Sequence, residues 1–113
     1  MHIAHSMNGD VAVLRLQGKI MGGPDATSLH EKLHELIESG TRQVVVDLEL
    51  VDWMNSSGLG ILIGGLSALR KSGGDLRLAS VTEKIEEVLR ITKLDRVFDI
   101  YGDSETAVSS YRS

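Results

Sequence analysis

The run Val44, Val45, Val46 and Leu48 constrains this chain more than any other stretch. Successive side chains of an extended strand point to opposite faces, so adjacent valines put apolar groups on both. Such a strand belongs in the middle of a sheet that helices cover on at least one face. The flanking sequence supplies these helices. Upstream, Ala26, Leu29, Leu33, Leu36 and Ile37 recur at helical spacing, with Glu31, Lys32, Glu35 and Glu38 on the other side, until Ser39-Gly40 closes the helix. Downstream, a second helix follows Asn55, with Leu59, Leu62, Ile63, Leu66 and Leu69 on a stripe that faces the sheet.

The remaining elements extend this alternation. Ile3 to Met7 and Val11 to Gln17 read as strands, joined at Asn8-Gly9-Asp10, whose Asn-Gly is a hairpin signal. "GKIMGGPDA" breaks the pattern, with Asp25 at the position of a helix cap or first-turn acid. Leu76 to Ala79 reads as a strand. Thr82 opens a helix carrying Ile85, Val88, Leu89 and Ile91. Val97 to Tyr101 reads as a last short strand and Glu105 to Tyr111 as a terminal helix. The order β-β-α-β-α-β-α-β-α predicts an α/β fold: an N-terminal antiparallel hairpin, then parallel strands joined by right-handed crossovers, with helices packed on the sheet. At 113 residues, a single domain spanning 1–113 is expected.

Composition narrows the function. A 42% apolar and 25% charged chain is balanced for a packed core rather than for disorder. With a net charge of −4 and no basic run, it lacks the electrostatic footprint of a nucleic-acid binder. Without cysteine there is no disulfide or thiolate metal site, which suits a reducing compartment. The N-terminal "MHIAHSMNGD" has no signal-peptide stretch, and the apolar runs are too short to span a membrane. The expected location is the cytoplasm, with no direct membrane contact.

The most unusual segment is "VDWMNSSGLGILIGGL", residues 51–66. Ser56 and Ser57 stand at a helix start, where one serine is enough to cap an unpaired backbone N–H at about 1 kcal/mol. The second leaves a hydroxyl within reach of an enzyme, and a phosphate there would feel the positive end of the helix dipole. Three interior glycines cost the helix roughly 2 to 3 kcal/mol relative to alanine. Gly60, Ile61, Gly64, Gly65 and Ala68 share one side. They either let the helix pack closely on its own neighbours or leave a bare face for another protein, with Ile61 as an apolar anchor.

Catalytic readings fare worse. "GLGILIG" has its third glycine one place late for a dinucleotide fingerprint, and the following "LRLAS" offers no acid for a ribose. A nucleophile elbow would need glycine where Met54 or Asn55 stands. His30 and His34, at i and i+4, have no third metal ligand in view and read as an exposed pair. Glu86-Glu87 and the pair Asp47 and Asp52 read as solvated or loop charge. No enzyme activity, cofactor or metal is expected.

The segment "VVVDLELVDWMNSSGLGILIGGLSALRKSGGDLRLASV" resembles the STAS domain of bacterial anti-sigma factor antagonists, with its apolar strand, Asp-Ser-Ser/Thr-Gly-Leu-Gly turn and following helix. The element order agrees along nearly the whole chain. The resemblance implies an antagonist that binds an anti-sigma factor, itself a serine kinase, and so frees a sigma factor. Phosphorylation by that kinase breaks the complex and a phosphatase restores it. Carried over, the phosphorylated serine is Ser56, with Ser57 the lesser candidate. The partner-binding side comprises Gly22, Gly23 and Asp25 before the first helix, Asn55, Ser57 and Gly58 at the turn, and Gly60, Ile61 and Gly64 on the helix. Asn55 departs from the family's Asp: it keeps the shape and can cap, but removes a charge beside the acceptor. Within the same resemblance stand a STAS subunit of a membrane transport assembly, a scaffold subunit of a stress-signalling complex, and a small-ligand-binding module.

Overall fold

In the computed structural model, which describes residues 1–112, five strands form one sheet in the order β1-β2-β3-β4-β5. β1 (His2–Asn8) and β2 (Val11–Ile20) are antiparallel across a tight turn, in which Gly9 takes a left-handed φ of 62°. β3 (Gln43–Met54), β4 (Asp75–Ala79) and β5 (Ile100–Tyr101) each add in parallel. Between them run α1 (Pro24–Glu38), α2 (Ser56–Lys71) and α3 (Glu83–Ile91), and α4 (Ser104–Ser110) follows β5. The mixed α/β architecture is the one the hydrophobic pattern predicts.

The valine run is buried on both faces. Val44, Val46 and Leu48 join Ala12, Leu14 and Leu16 under the leucines of α1 and α2, while Val45 packs with Val11, Val13 and Ala79 beneath Ala107 and Val108 of α4. The α4 layer is tied down at its end. Tyr111 offers its hydroxyl to the carbonyls of Val44 and Asp75, at 2.8 and 2.9 Å. The Arg77 guanidinium lies 3.9 Å over its ring. Burial, with the Asp75 charge nearby, pushes the Tyr111 hydroxyl well above its ordinary pKa.

Two sequence expectations about these elements need correction. Ile63 is exposed rather than sheet-facing, because the buried stripe of α2 leans toward Gly58 and Gly65, whose missing side chains let the helix close on that flank. A short 3₁₀ turn at Leu94–Arg96 precedes the segment expected as strand from Val97, and pairing is confined to Ile100 and Tyr101. Phe98 turns inward to the core while Val97 stays outside. β3 also runs on to Met54, its pairing with β2 shifting register between Arg15 and Gln17 and again between Gly18 and Lys19.

Asp47 is the largest correction. Expected as solvated charge, it is 1% exposed. Its carboxylate accepts the Glu49 N–H at 2.9 Å and the hydroxyls of Ser80 and Ser104, with Arg15 at 3.7 Å. The charge sits on the α4 face, where β3 leaves the small second core and meets the ends of β4 and β5. Ser80 holds a left-handed φ of 57°, unusual for a residue with a side chain, and its hydroxyl points to this carboxylate. Removing a hydrogen-bonded buried carboxylate strands its donors. Asp47→Ala is therefore expected to lower unfolding free energy by about 2 to 3 kcal/mol, read from the midpoint of urea denaturation at unchanged m-value.

Candidate functional site

The chain turns from β3 into α2 through one residue. Asn55 is extended, with φ −97° and ψ −177°, and its Oδ1 accepts the Gly58 N–H at 2.8 Å, capping the helix. Its own N–H donates to the Ile20 carbonyl at 3.4 Å, and its side-chain amide donates to the Met21 carbonyl at 3.5 Å. One side chain thus uses its acceptor on the helix and its donor on the loop between β2 and α1. An aspartate could cap, but could not donate to that loop.

Asn55 also overturns the reading of the serines as caps. Ser56 and Ser57 occupy the first two helical positions, both exposed, and neither hydroxyl has a hydrogen-bond partner among the described residues. The loop side of the site is equally close. Gly22, at φ 93°, faces Ser57 so tightly that an added Cβ would lie 2.9 Å from the serine Cβ. Gly23, at φ 60°, precedes Pro24 without a side-chain cap, and Asp25 in the first turn of α1 accepts the Met21 N–H at 3.1 Å. The structure therefore brings Gly22, Gly23, Asp25, Asn55, Ser56, Ser57 and Gly58 to one corner, at the carboxyl ends of β2 and β3.

The glycines divide into two kinds, and the division settles what each does in the fold. A Cβ on Gly58 would lie 2.1 Å from the Ile20 carbonyl oxygen and 2.9 Å from Met54, and one on Gly65 would meet Leu33 at 2.6 Å. These two are packing glycines, so for Gly65 the close-packing alternative holds. A Cβ on Gly60 or Gly64 would meet nothing within 4 Å. Nothing inside the chain asks for glycine there, although each costs the helix about 0.8 to 1 kcal/mol. Both open onto a groove of about 590 Å³ between α1 and α2, lined also by Ala26, His30, His34 and Ala68. Ile61, the apolar anchor of the docking alternative, is half-buried in that groove and packs partly on the core. His30 and His34 line the opposite wall with their rings stacked 6.3 Å apart, and His34 is 3.1 Å from Glu38.

Sequence reasoning passed over two exposed apolar residues that flank the corner along the chain. Trp53 is 39% exposed, with the Lys84 ammonium of α3 5.6 Å from its ring centre, and Met21 is exposed beside Asn55. The signal was the chain's one tryptophan, placed three residues before Ser56. No basic side chain lies in the first turn of α2. Within α2 itself, a negative group on Ser56 would be met by the helix end; the ammonium that the corner holds is that of Met1, paired with Asp25 at 3.4 Å.

Residues 2–107 match the family described as STAS domain. An anti-sigma-B factor antagonist from Bacillus subtilis (strain 168) is 35% identical over 96 residues, covering 82% of this chain and 87% of that protein. Among solved structures, an anti-sigma factor antagonist from Mycobacterium paratuberculosis has a TM-score of 0.85 at 22% identity, covering 99% of this chain and 94% of its own. The Bacillus cell fate determinant SpoIIAA in its phosphorylated form has a TM-score of 0.76 at 20% identity, covering 97% and 99%. These two share the five-stranded fold described above.

The two kinds of glycine should separate in thermal unfolding. Gly60→Ala and Gly64→Ala are each expected to stabilise by about 0.5 to 1 kcal/mol, since helix propensity improves and nothing clashes. Gly58→Ala is expected to destabilise by about 3 kcal/mol, because the Cβ meets a backbone carbonyl that cannot swing away. Asn55→Ala should cost about 1 kcal/mol through loss of the cap.

Proposed function

The chain belongs to the STAS-domain family, and from that premise we propose that it is a cytoplasmic anti-sigma factor antagonist whose binding is switched by phosphorylation of Ser56. In this reading it is a protein-binding module and a kinase substrate rather than an enzyme. The unphosphorylated form docks an anti-sigma factor that is also a serine kinase, and so releases a sigma factor. A phosphatase returns the phosphorylated form to the active pool.

The observation that carries the reading is the state of Ser56. Its hydroxyl is exposed, unbonded among the described residues and relieved of capping by Asn55, so a kinase can take it without first breaking a structural bond. A phosphate at that point brings about −1.5 to −2 charges. At the end of a helix it is locally welcome, so the fold is preserved. Against a docked partner without matching cations it is buried at a cost of several kcal/mol. About 3 kcal/mol is enough to weaken binding over a hundredfold.

The docking surface in this reading is the corner formed by Gly22, Gly23, Asp25, Asn55, Ser57 and Gly58, continued along α2 by Gly60, Ile61 and Gly64. The relative from Bacillus subtilis, named an anti-sigma-B factor antagonist, supports the assignment of partner class. Asn55 adds a refinement. Where the family usually places an acid, this chain has a side chain that holds the loop at Met21 instead, so the charge that a kinase would find beside Ser56 is missing while the corner keeps its shape.

The test combines capture and mass spectrometry. The chain, used as bait in native lysate, is expected to retain an anti-sigma factor with a serine kinase fold and to release it on addition of Mg-ATP. The released bait should carry one phosphate, mapped by fragmentation to Ser56. Ser56→Ala should stay bound in the presence of ATP, and Ser56→Asp should bind over tenfold more weakly. Asn55→Asp should change the phosphorylation rate with a melting temperature within a few degrees of the parent, because the cap and the main-chain bond to Ile20 are kept and only the long 3.5 Å bond to the Met21 carbonyl is lost. A phosphate found only on Ser57, or on neither serine, overturns the switch.

A further inference from the structure

The sheet has two lateral edges of very different character. β5 offers two residues and is too short to template another strand. β1 offers seven, from His2 to Asn8, with no lysine, arginine, aspartate, glutamate or proline among them. An edge strand carries a row of backbone N–H and C=O groups on its free side, and charge, proline or brevity are the usual means of keeping other strands away. β1 has none of these within its own residues, although the Arg112 guanidinium bonds the Asn8 carbonyl and side chain at its turn end. What pairs with such a row is another extended strand about 4.8 Å away.

The side chains of β1 say which strand. Read from either end, the segment runs polar, apolar, small, histidine, small, apolar, polar: His2 and Asn8, Ile3 and Met7, Ala4 and Ser6, with His5 at the centre. An antiparallel pair of two identical strands in full overlap has its twofold axis at His5 and sets these residues opposite one another. The faces agree as well. Ile3, His5 and Met7 pair with Leu16, Leu14 and Ala12 of β2, on the face that carries the main core. Ile3 already packs against that core, whereas Met7 is 49% exposed, with its sulfur 3.3 Å from the His5 Nε2. A second copy would bring its Ile3 against this Met7, and its Met7 against this Ile3.

We propose that β1 is a self-association edge, through which two copies of this chain pair antiparallel about His5 to make one continuous ten-stranded sheet. The interface is isologous and closes on itself, as a twofold contact must. It adds main-chain hydrogen bonds on the free side of β1 and two Ile3–Met7 contacts, an area at the small end of protein interfaces. The dimer is accordingly weak, with a Kd on the order of 100 µM. β1 itself supplies no residue to the corner around Ser56, although Met1 just before it pairs with Asp25, and the inference does not rest on the proposed switch.

The test is charge complementation at position 5, where cross-strand neighbours would lie about 5 Å apart and like charges destabilise pairing. Sedimentation velocity of the full chain, from about 1 µM to 1 mM so as to bracket that Kd, should show a concentration-dependent dimer. His5→Lys alone and His5→Glu alone should each raise Kd at least tenfold, and an equimolar mixture of the two should restore association. Met7→Lys gives a second route to the monomer if either His5 variant loses its circular dichroism spectrum. Ile91→Lys, which changes an exposed apolar residue on α3, should leave the dimer intact. A parent chain that stays monomeric over the whole range, a dimer indifferent to the single His5 charges or lost with Ile91→Lys, or a mixture that fails to reassociate would each overturn the proposal.

Discussion

Asn55 holds together the corner on which the rest of the site depends. It ends a strand, caps a helix through its carbonyl oxygen and ties the neighbouring loop through its amide and its main-chain N–H. Helix starts leave several N–H groups without partners, and the residue that satisfies one of them also sets the direction in which the helix leaves. Here that direction presses Gly58 against the Ile20 carbonyl, so closely that no larger residue fits. Because the asparagine does the capping, the serines that follow are left with hydroxyls that the fold does not use. In the proposed switch, the residue that builds the corner and the residue that is modified are therefore distinct, and modifying one need not unmake the other.

A second constraint acts on the opposite face. The valine run demands cover on both sides of β3, yet α4 is only seven residues long and covers only part of its face. Where the apolar cover ends, Asp47 takes over, gathering hydroxyls from the ends of β4 and α4 and the guanidinium of Arg15 from β2. Tyr111 performs the matching task at the other end of α4 by bonding carbonyls of β3 and β4. Short helices gain little from propensity. This one is held by polar anchors at both ends, with Arg77 of β4 also bonding Ser110, and by a small apolar patch.

The glycines of α2 show how a repeated residue type can serve different ends within a few turns. Gly58 and Gly65 are bare because backbone or leucine atoms of the same chain occupy the space a side chain would need. Gly60 and Gly64 are bare over an open groove, at a cost in helix stability that no internal contact offsets. Stability alone would replace the second pair with alanine. The proposed docking surface supplies a reason to keep them bare.

Much of this was legible in the residues. Alternation of two-residue and 3.6-residue periods determined the element order, the antiparallel opening and the parallel remainder, because burial on one face or two leaves its period in the sequence. The motif around Ser56 was equally visible, since strand, polar turn and glycine-spaced helix stand side by side in the chain. Other features depended on residues far apart in sequence meeting in space. Asp47 reads as an ordinary acid until Ser80 and Ser104, 33 and 57 positions away, are brought to its carboxylate. Whether a serine or Asn55 caps α2, whether Gly65 or Gly64 is covered, and why Ile63 lies outside the apolar stripe were all decided by how α2 rolls against Ile20 and Leu33. Periodicity records that a helix has a buried side, but the exact rotation of that side is set by close contacts with its neighbours, and those exist only once the layers have packed.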